Sequence, residues 1–224
     1  MGKGLFVTGT DTDIGKTFLT GELIKCLHDA KVNVGYYKAA LSGAEWIDGK
    51  LVGGDAKYVF VHAGLEGEPN DSVSYLFEEA VSPHLASKHL GTEISLDKII
   101  EDYNRKVEEH DYMVMEGSGG ILCPISIGKE KIMLPDIVKA LELPVVIIAA
   151  AGLGTINHTV LTYEYCKNQS IPVKAIILNH FHIEDLMEED NKKMIEEMTD
   201  CPVYVWSEKE KRLNMTLAEI LYLF

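Results

Sequence analysis

Residues 9–17 read GTDTDIGKT, directly behind the apolar run GLFVT at 4–8 and ahead of an apolar pattern of helical spacing over 16–29. A glycine-containing turn between a buried strand and a helix aims backbone N–H groups, and the positive end of the helix dipole, at one point that suits a phosphate. Lys16 adds an ammonium for the outer phosphates, and Thr17 a hydroxyl for a bridging magnesium ion. Five residues rather than the usual four separate Gly9 from Gly15, so the loop is one residue too long for G-x-x-x-x-G-K-[ST]. Placing Thr10 at the first-glycine position restores the spacing and makes Gly9 an additional hinge upstream. The middle of the loop, Asp11-Thr12-Asp13, carries acid that would repel a triphosphate. It is therefore expected to face a second substrate bearing amines.

Outward from this loop, apolar runs of strand length recur at 4–8, 32–37, 112–115, 145–150, 173–178 and 203–206. Stretches of helical periodicity lie between and around them, at 16–29, 56–63, 95–109, 133–142, 155–168, 185–198 and from about 214 onward. This alternation predicts an α/β fold, a mostly parallel sheet with helices on both faces, formed as one domain over 1–224. The short, wholly apolar first strand is expected at its centre. Residues 41–55 and 64–83, rich in small and polar residues, read as long loops above the sheet.

Composition narrows the function. A net charge of −14 lacks the basic footprint of a nucleic-acid binder. The longest apolar run, VVIIAAA at 145–151, is far short of a bilayer span, so a cytoplasmic protein without membrane partners is expected. Cys26, Cys123, Cys166 and Cys201 are dispersed and read as reduced thiols, and the histidines form no set of metal-site spacing.

Several further segments fall in register with one family. GTDTDIGKT resembles the opening of the dethiobiotin synthetases, G-T-D-T-[ED]-[VI]-G-K-T. KAALSG at 38–43, GGDA at 53–56, SPH at 82–84, MEGSGG at 115–120, GTINHTVLT at 154–162 and Asn179 at a strand end follow the family's other motifs in order along nearly the whole chain. Departures are Ala39 for the usual Pro, Ser118 for Ala, Asp13 for Glu, and a segment 203–212 without the family's G-x-I-P-like stretch. The resemblance implies a P-loop NTPase fold, a homodimer, and ring closure of 7,8-diaminononanoate with CO2 or bicarbonate, using ATP and Mg2+. By resemblance, Lys16, Lys38, Thr12 and Asp13 serve catalysis, while Ser42 and Asn157 bind substrate, Asn157 from the opposite subunit. ATP contacts are implied for Asp13, Ile14, Gly15, Lys16, Thr17, Phe18, Asp55, Glu116, Gly117, Ser118, Gly119 and Asn179.

Taken as residues alone, Thr17, Asp55 and Glu116 are hard oxygen ligands of the kind magnesium takes, and Glu116 ends an apolar strand where an unpaired carboxylate would be costly. Asp55 also reads as a helix N-cap, Asp13 as a carboxylate stabilising a helix N-terminus, and Asn157 as a cap. Lys38 reads equally as a solvated loop lysine, and residues 117–120 as a plain turn. A partition-type ATPase switch acting through protein partners is the rival of another class, but it would carry an additional lysine early in the loop, where Thr10, Asp11 and Thr12 stand. A cobyrinate-type amidating ligase would need a glutaminase domain for which this length leaves no room.

Overall fold

The computed structural model describes residues 2–224. In chain order, β1 (Lys3–Gly9) leads into α1 (Lys16–Asp29), followed by β2 (Val34–Ser42), β3 (Glu45–Ile47), β4 (Lys50–Val52) and α2 (Gly54–Ala63). Next come β5 (Val73–Phe77), α3 (Pro83–Leu90), α4 (Leu96–Glu108), β6 (Tyr112–Gly120), β7 (Pro124–Ile127), β8 (Lys131–Met133) and α5 (Leu134–Ala140). The chain closes with β9 (Val145–Ala150), α6 (Thr155–Asn168), β10 (Val173–Phe181), α7 (Leu186–Thr199), β11 (Val203–Ser207), β12 (Arg212–Leu213) and α8 (Leu217–Tyr222).

Eight strands form one sheet in the order β12-β11-β10-β9-β1-β6-β2-β5, parallel throughout except for the edge strand β12. The first strand is central, as expected, paired with β6 on one side and β9 on the other. Because side chains alternate along a strand, β1 feeds two cores at once. Leu5 and Val7 join Leu19, Leu23 and Leu27 of α1, Val59 of α2 and Ile220 of α8, whereas Phe6 joins Ile99 of α4, Ile137 of α5, Cys166 of α6 and Ile195 of α7. Each such side chain, fully withdrawn from water, contributes about 1.5–3 kcal/mol.

The two stretches expected as loops hold structure of their own. Residues 41–55 contain the end of β2 and a hairpin, β3 with β4, whose turn is Asp48-Gly49 with φ of 50° and 76°. Asp-Gly supplies the positive φ that a tight hairpin turn requires, and that dipeptide was the overlooked signal. Residues 64–83 contain a 3-10 turn at Pro69–Ser72 and the edge strand β5, which buries Tyr75 and Phe77 two residues apart. A second hairpin, β7 with β8, forms a separate two-stranded sheet. All four cysteines are free thiols.

This topology brings the carboxyl ends of β1, β6 and β2 side by side. Glu116 is in register with Val7 on one neighbour and Lys38 on the other, at the rim where open parallel sheets bind ligands.

Candidate active site

The phosphate-loop geometry follows from two glycines with different duties. Gly15 is the N-cap of α1 in the left-handed region (φ 91°, ψ 28°), and no side chain caps the helix, which leaves the N–H groups of its first turn facing outward for an anion. A Cβ at Gly15 would run into the side-chain amide of Asn179. Gly9 is not the hinge expected of it, since it takes no positive φ; it permits close approach, because a Cβ there would come within 2.6 Å of Ile14 Cδ1 and 3.0 Å of Lys16 Cδ. Asp13 takes the other left-handed position of the loop, with φ 58°. Gly15→Ala is expected to weaken ATP binding by at least about tenfold and to cost about 1–2 kcal/mol in stability, the penalty of a Cβ in left-handed backbone. Calorimetric titration and thermal melting would measure the two effects; parent-like ATP affinity would show that the loop tolerates the displacement.

Asn179, at the end of β10, is only 1% exposed. Its Nδ2 donates to the Ile14 carbonyl at 2.9 Å, and its Oδ1 has no partner among the described residues. The same amide therefore braces the loop from beneath.

At the foot of the rim the Lys38 ammonium, itself buried, donates to Asp55 Oδ2 and Glu116 Oε1, each at 2.6 Å. Thr17 Oγ1 donates to the same Glu116 oxygen at 2.7 Å, and the Tyr36 phenol donates to Oε2 at 2.9 Å. Glu116 is 1% exposed, so its charge depends on these partners. Burial works against the charge on Lys38, but the carboxylates of Glu116 and Asp55 outweigh it and hold the ammonium above its ordinary range. Burial likewise opposes the Asp55 carboxylate, yet Lys38 and the Thr17 hydroxyl keep it below its usual value. Burial and the nearby Lys38 push Lys16 down; its Nζ donates to the Asp11 carbonyl at 2.7 Å. Burial, followed by the Glu116 charge, raises the Tyr36 phenol well above its normal range, so it acts as a donor.

Above this centre lies an open cleft of about 930 Å³. Lys16, Thr17, Lys38, Asp55 and Glu116 meet there with Thr12, Asp13, Phe18, Ser42, Ser118 and Gly119. The hydroxyl of Ser42 has no partner among the described residues, whereas that of Ser118 donates to the Ala40 carbonyl at 2.7 Å. Ser82, Pro83 and Tyr58, the last one helical turn after Asp55, also line the cleft, and Tyr58 and Phe18 both pack on His62.

Several alternatives are decided by these placements. Asp55 is not the cap of α2, since Gly53 is, and its carboxylate turns to Lys38. Lys38 is no loop lysine, and residues 117–120 continue β6 rather than turn. Gly154, not Asn157, caps α6. Gly15 supplies backbone at the cleft, whereas Ile14, Gly117, Asn157 and Asn179 are absent from its lining. Gly117 backs onto Phe6 and Leu134 in the core, Ile14 offers its carbonyl to Asn179, and Asn157 is exposed on α6. Sequence reasoning missed Tyr36, Tyr58 and Cys123; Tyr36 was legible, because side chains two apart in a strand share a face with Lys38.

The chain matches the family model described as "AAA domain" over residues 3–207. Among solved structures, a ParA family ATPase from Chlorobium tepidum superposes with a TM-score of 0.56 at 13% identity, covering 100% of this chain and 89% of that one. The MinC:MinD cell division protein complex of Aquifex aeolicus gives 0.52 at 13% identity, over 91% and 80% of the two chains. At such identity these show a shared fold alone. Curated relatives are far more similar: an ATP-dependent dethiobiotin synthetase BioD of Clostridium botulinum strain Eklund 17B is 50% identical over 220 residues, 98% of this chain and 97% of the relative. One of strain 657 is 51% identical over 221 residues, 99% of this chain and 97% of the relative. Identity at that level across the full length, together with a phosphate loop and a Lys38-Asp55-Glu116 centre at one rim, places this chain in the ATP-dependent dethiobiotin synthetase family.

Proposed function

We propose that this chain closes the cyclic urea of dethiobiotin on 7,8-diaminononanoate, with carbon dioxide and ATP, for biotin biosynthesis. One amine adds to carbon dioxide and loses a proton, giving a carbamate. A carbamate oxygen takes the γ-phosphoryl group and ADP leaves; the second amine then attacks the carbonyl carbon and inorganic phosphate leaves. The observation that carries this assignment is that one cleft collects two kinds of group: the cations Lys16 and Lys38, and, with them, Thr12, Asp13 and the Ser42 hydroxyl, which has no partner among the described residues.

Phosphoryl transfer asks the protein chiefly for positioning and charge stabilisation. Lys16 would meet the γ-phosphate as it leaves the Asp11 carbonyl, and Lys38 the carbamate and the oxygens between the two. Asp13 and Thr12 would accept from the amine, and Ser42 would hydrogen-bond the carbamate. Phe18 and the backbone at Gly15 and Gly119 would border the nucleotide. Asn179 Oδ1, an acceptor without a partner among the described residues, suits an amino group such as that of adenine.

The residues present suit magnesium. The two carboxylates already converge on one cation, the Lys38 ammonium, with the Thr17 hydroxyl donating to Glu116 beside it, and two carboxylates with a hydroxyl leave positions for phosphate oxygens and water. Thr17, Asp55 and Glu116 would hold the ion, which when bound neutralises charge developing between the β- and γ-phosphates. Asn157 would act in the cleft of a second subunit: it shares its exposed stretch with Leu153 and Leu161, an apolar face that a homodimer would cover. No helix among the described residues is long and apolar enough to cross a membrane.

ADP release that requires the diamine and bicarbonate together is the expected result of a coupled assay. ADP formation indifferent to the diamine would remove the proposal and favour a partition-type switch.

A further inference from the structure

The two oxygens of Glu116 are held by different partners. Oε1 accepts from Lys38 and Thr17, whereas Oε2 accepts, among the described residues, only from the Tyr36 phenol. Tyr36 and Lys38 lie two apart on β2, opposite Val114 and Glu116 of β6, and so leave the strand on one face. Two residues advance a parallel strand by about 6.6 Å, close to the reach of a phenol, so Tyr36 approaches the carboxylate from the side away from the cleft. Its ring cannot drift, because Phe60 of α2 stands edge-on to it, with centroids 6.5 Å apart and planes at 88°. No other hydrogen bond of the phenol occurs among the described residues, although the ring is buried.

We propose that Tyr36 is a positioning residue for the reaction: by holding Oε2 it fixes the rotation of the Glu116 carboxylate, so that Oε1 is the oxygen offered to Thr17, Lys38 and the metal–phosphate group. This rests on the ligase reading above. A carboxylate without that donor would carry a buried, unpartnered oxygen and could swing about its last torsion. Partners of this kind behind a ligating side chain are worth about 10–100-fold in metal affinity.

The test is Tyr36→Phe, which keeps the ring and is checked for folding by circular dichroism. Mn2+ serves as the probe, titrated by electron paramagnetic resonance in the presence of a non-hydrolysable ATP analogue. The dissociation constant for Mn2+ is expected to rise about 10–100-fold. In a Glu116→Gln background the same change is expected to add no more than about twofold, because its effect runs through the carboxylate. Mn2+ affinity unchanged in folded Tyr36→Phe, or an undiminished effect in the double variant, would overturn the role and leave Tyr36 as packing. None of these readouts needs turnover. A parent protein that binds Mn2+ and nucleotide but releases no diamine-dependent ADP would remove the ligase reading while leaving the Tyr36–Glu116 coupling measurable.

Discussion

Lys38→Met is expected to destabilise the metal-free protein by about 3–5 kcal/mol, the usual consequence of removing one partner from a buried ion pair. Glu116 is nearly inaccessible to water, and Asp55 is the second carboxylate on the same ammonium. Methionine fills the space of the aliphatic stem but leaves the two carboxylates with no ammonium hydrogen-bonded to them, Lys16 being held instead by the Asp11 carbonyl. Since Lys38 holds Asp55 below its unfolded value, the part of the loss that runs through Asp55 is complete at neutral pH. It shrinks as the pH falls from the ordinary carboxylate range through that depressed value, so the gap between parent and variant narrows in acid. Saturating magnesium with an ATP analogue is expected to recover much of the stability, because a bound cation at Thr17, Asp55 and Glu116 replaces the missing charge and because binding stabilises the native state. Turnover is not expected to recover and should stay down by about 10²–10³-fold, as on removal of a preorganised transition-state donor. Chemical denaturation across pH, with and without metal and nucleotide, would measure this. A loss below about 1 kcal/mol at neutral pH would show that Lys38 is not the cation that makes the buried Glu116 carboxylate tolerable.

The same centre explains what was legible in the chain. GTDTDIGKT announces a strand, a turn and a helix because each residue type there has a local reason: apolar residues before, glycine where the backbone turns left-handed, lysine and threonine at the helix start. The parallel core and its central first strand follow from uninterrupted apolar runs, which need both faces covered. The failures fall where tertiary context or turn chemistry decides. β5 buries only alternate residues at a sheet edge, so its hydrophobic signal is diluted by Ser72, Ser74 and the preceding Pro69-Asn70-Asp71. The β3–β4 hairpin pairs an exposed strand with a half-buried one and survives in the sequence only as Asp48-Gly49. Within the site, the ligating types were readable, but the pairing of Lys38 with both Asp55 and Glu116 was not. It arises from the register of β2 against β6 and from the entry of α2, neither of which any local window contains. Gly9 shows the same limit: composition marks it as special, while only packing against Ile14 and Lys16 says that the reason is space rather than freedom.

Lys16→Ala should lower kcat/KM for ATP by about 10²–10³-fold while changing stability by no more than about 1 kcal/mol. The asymmetry with Lys38 comes from their partners. Among the described residues Lys16 has no carboxylate in hydrogen-bond contact, only the Asp11 carbonyl, and burial together with Lys38 already disfavours its charge, so little native stabilisation is lost with it. A triphosphate supplies the missing counter-charge, which is why the loss should fall on nucleotide use. Asp13→Asn, by contrast, keeps a residue that tolerates left-handed backbone and removes only the charge. It is expected to raise the KM for diaminononanoate about tenfold, the scale of one charge-assisted hydrogen bond, and to leave the KM for ATP unchanged. Steady-state kinetics with each substrate varied in turn separates the two. If both variants lost ATP affinity equally, the acidic middle of the loop would belong to the nucleotide, and the amine would have to be bound by Thr12 and Ser42 alone.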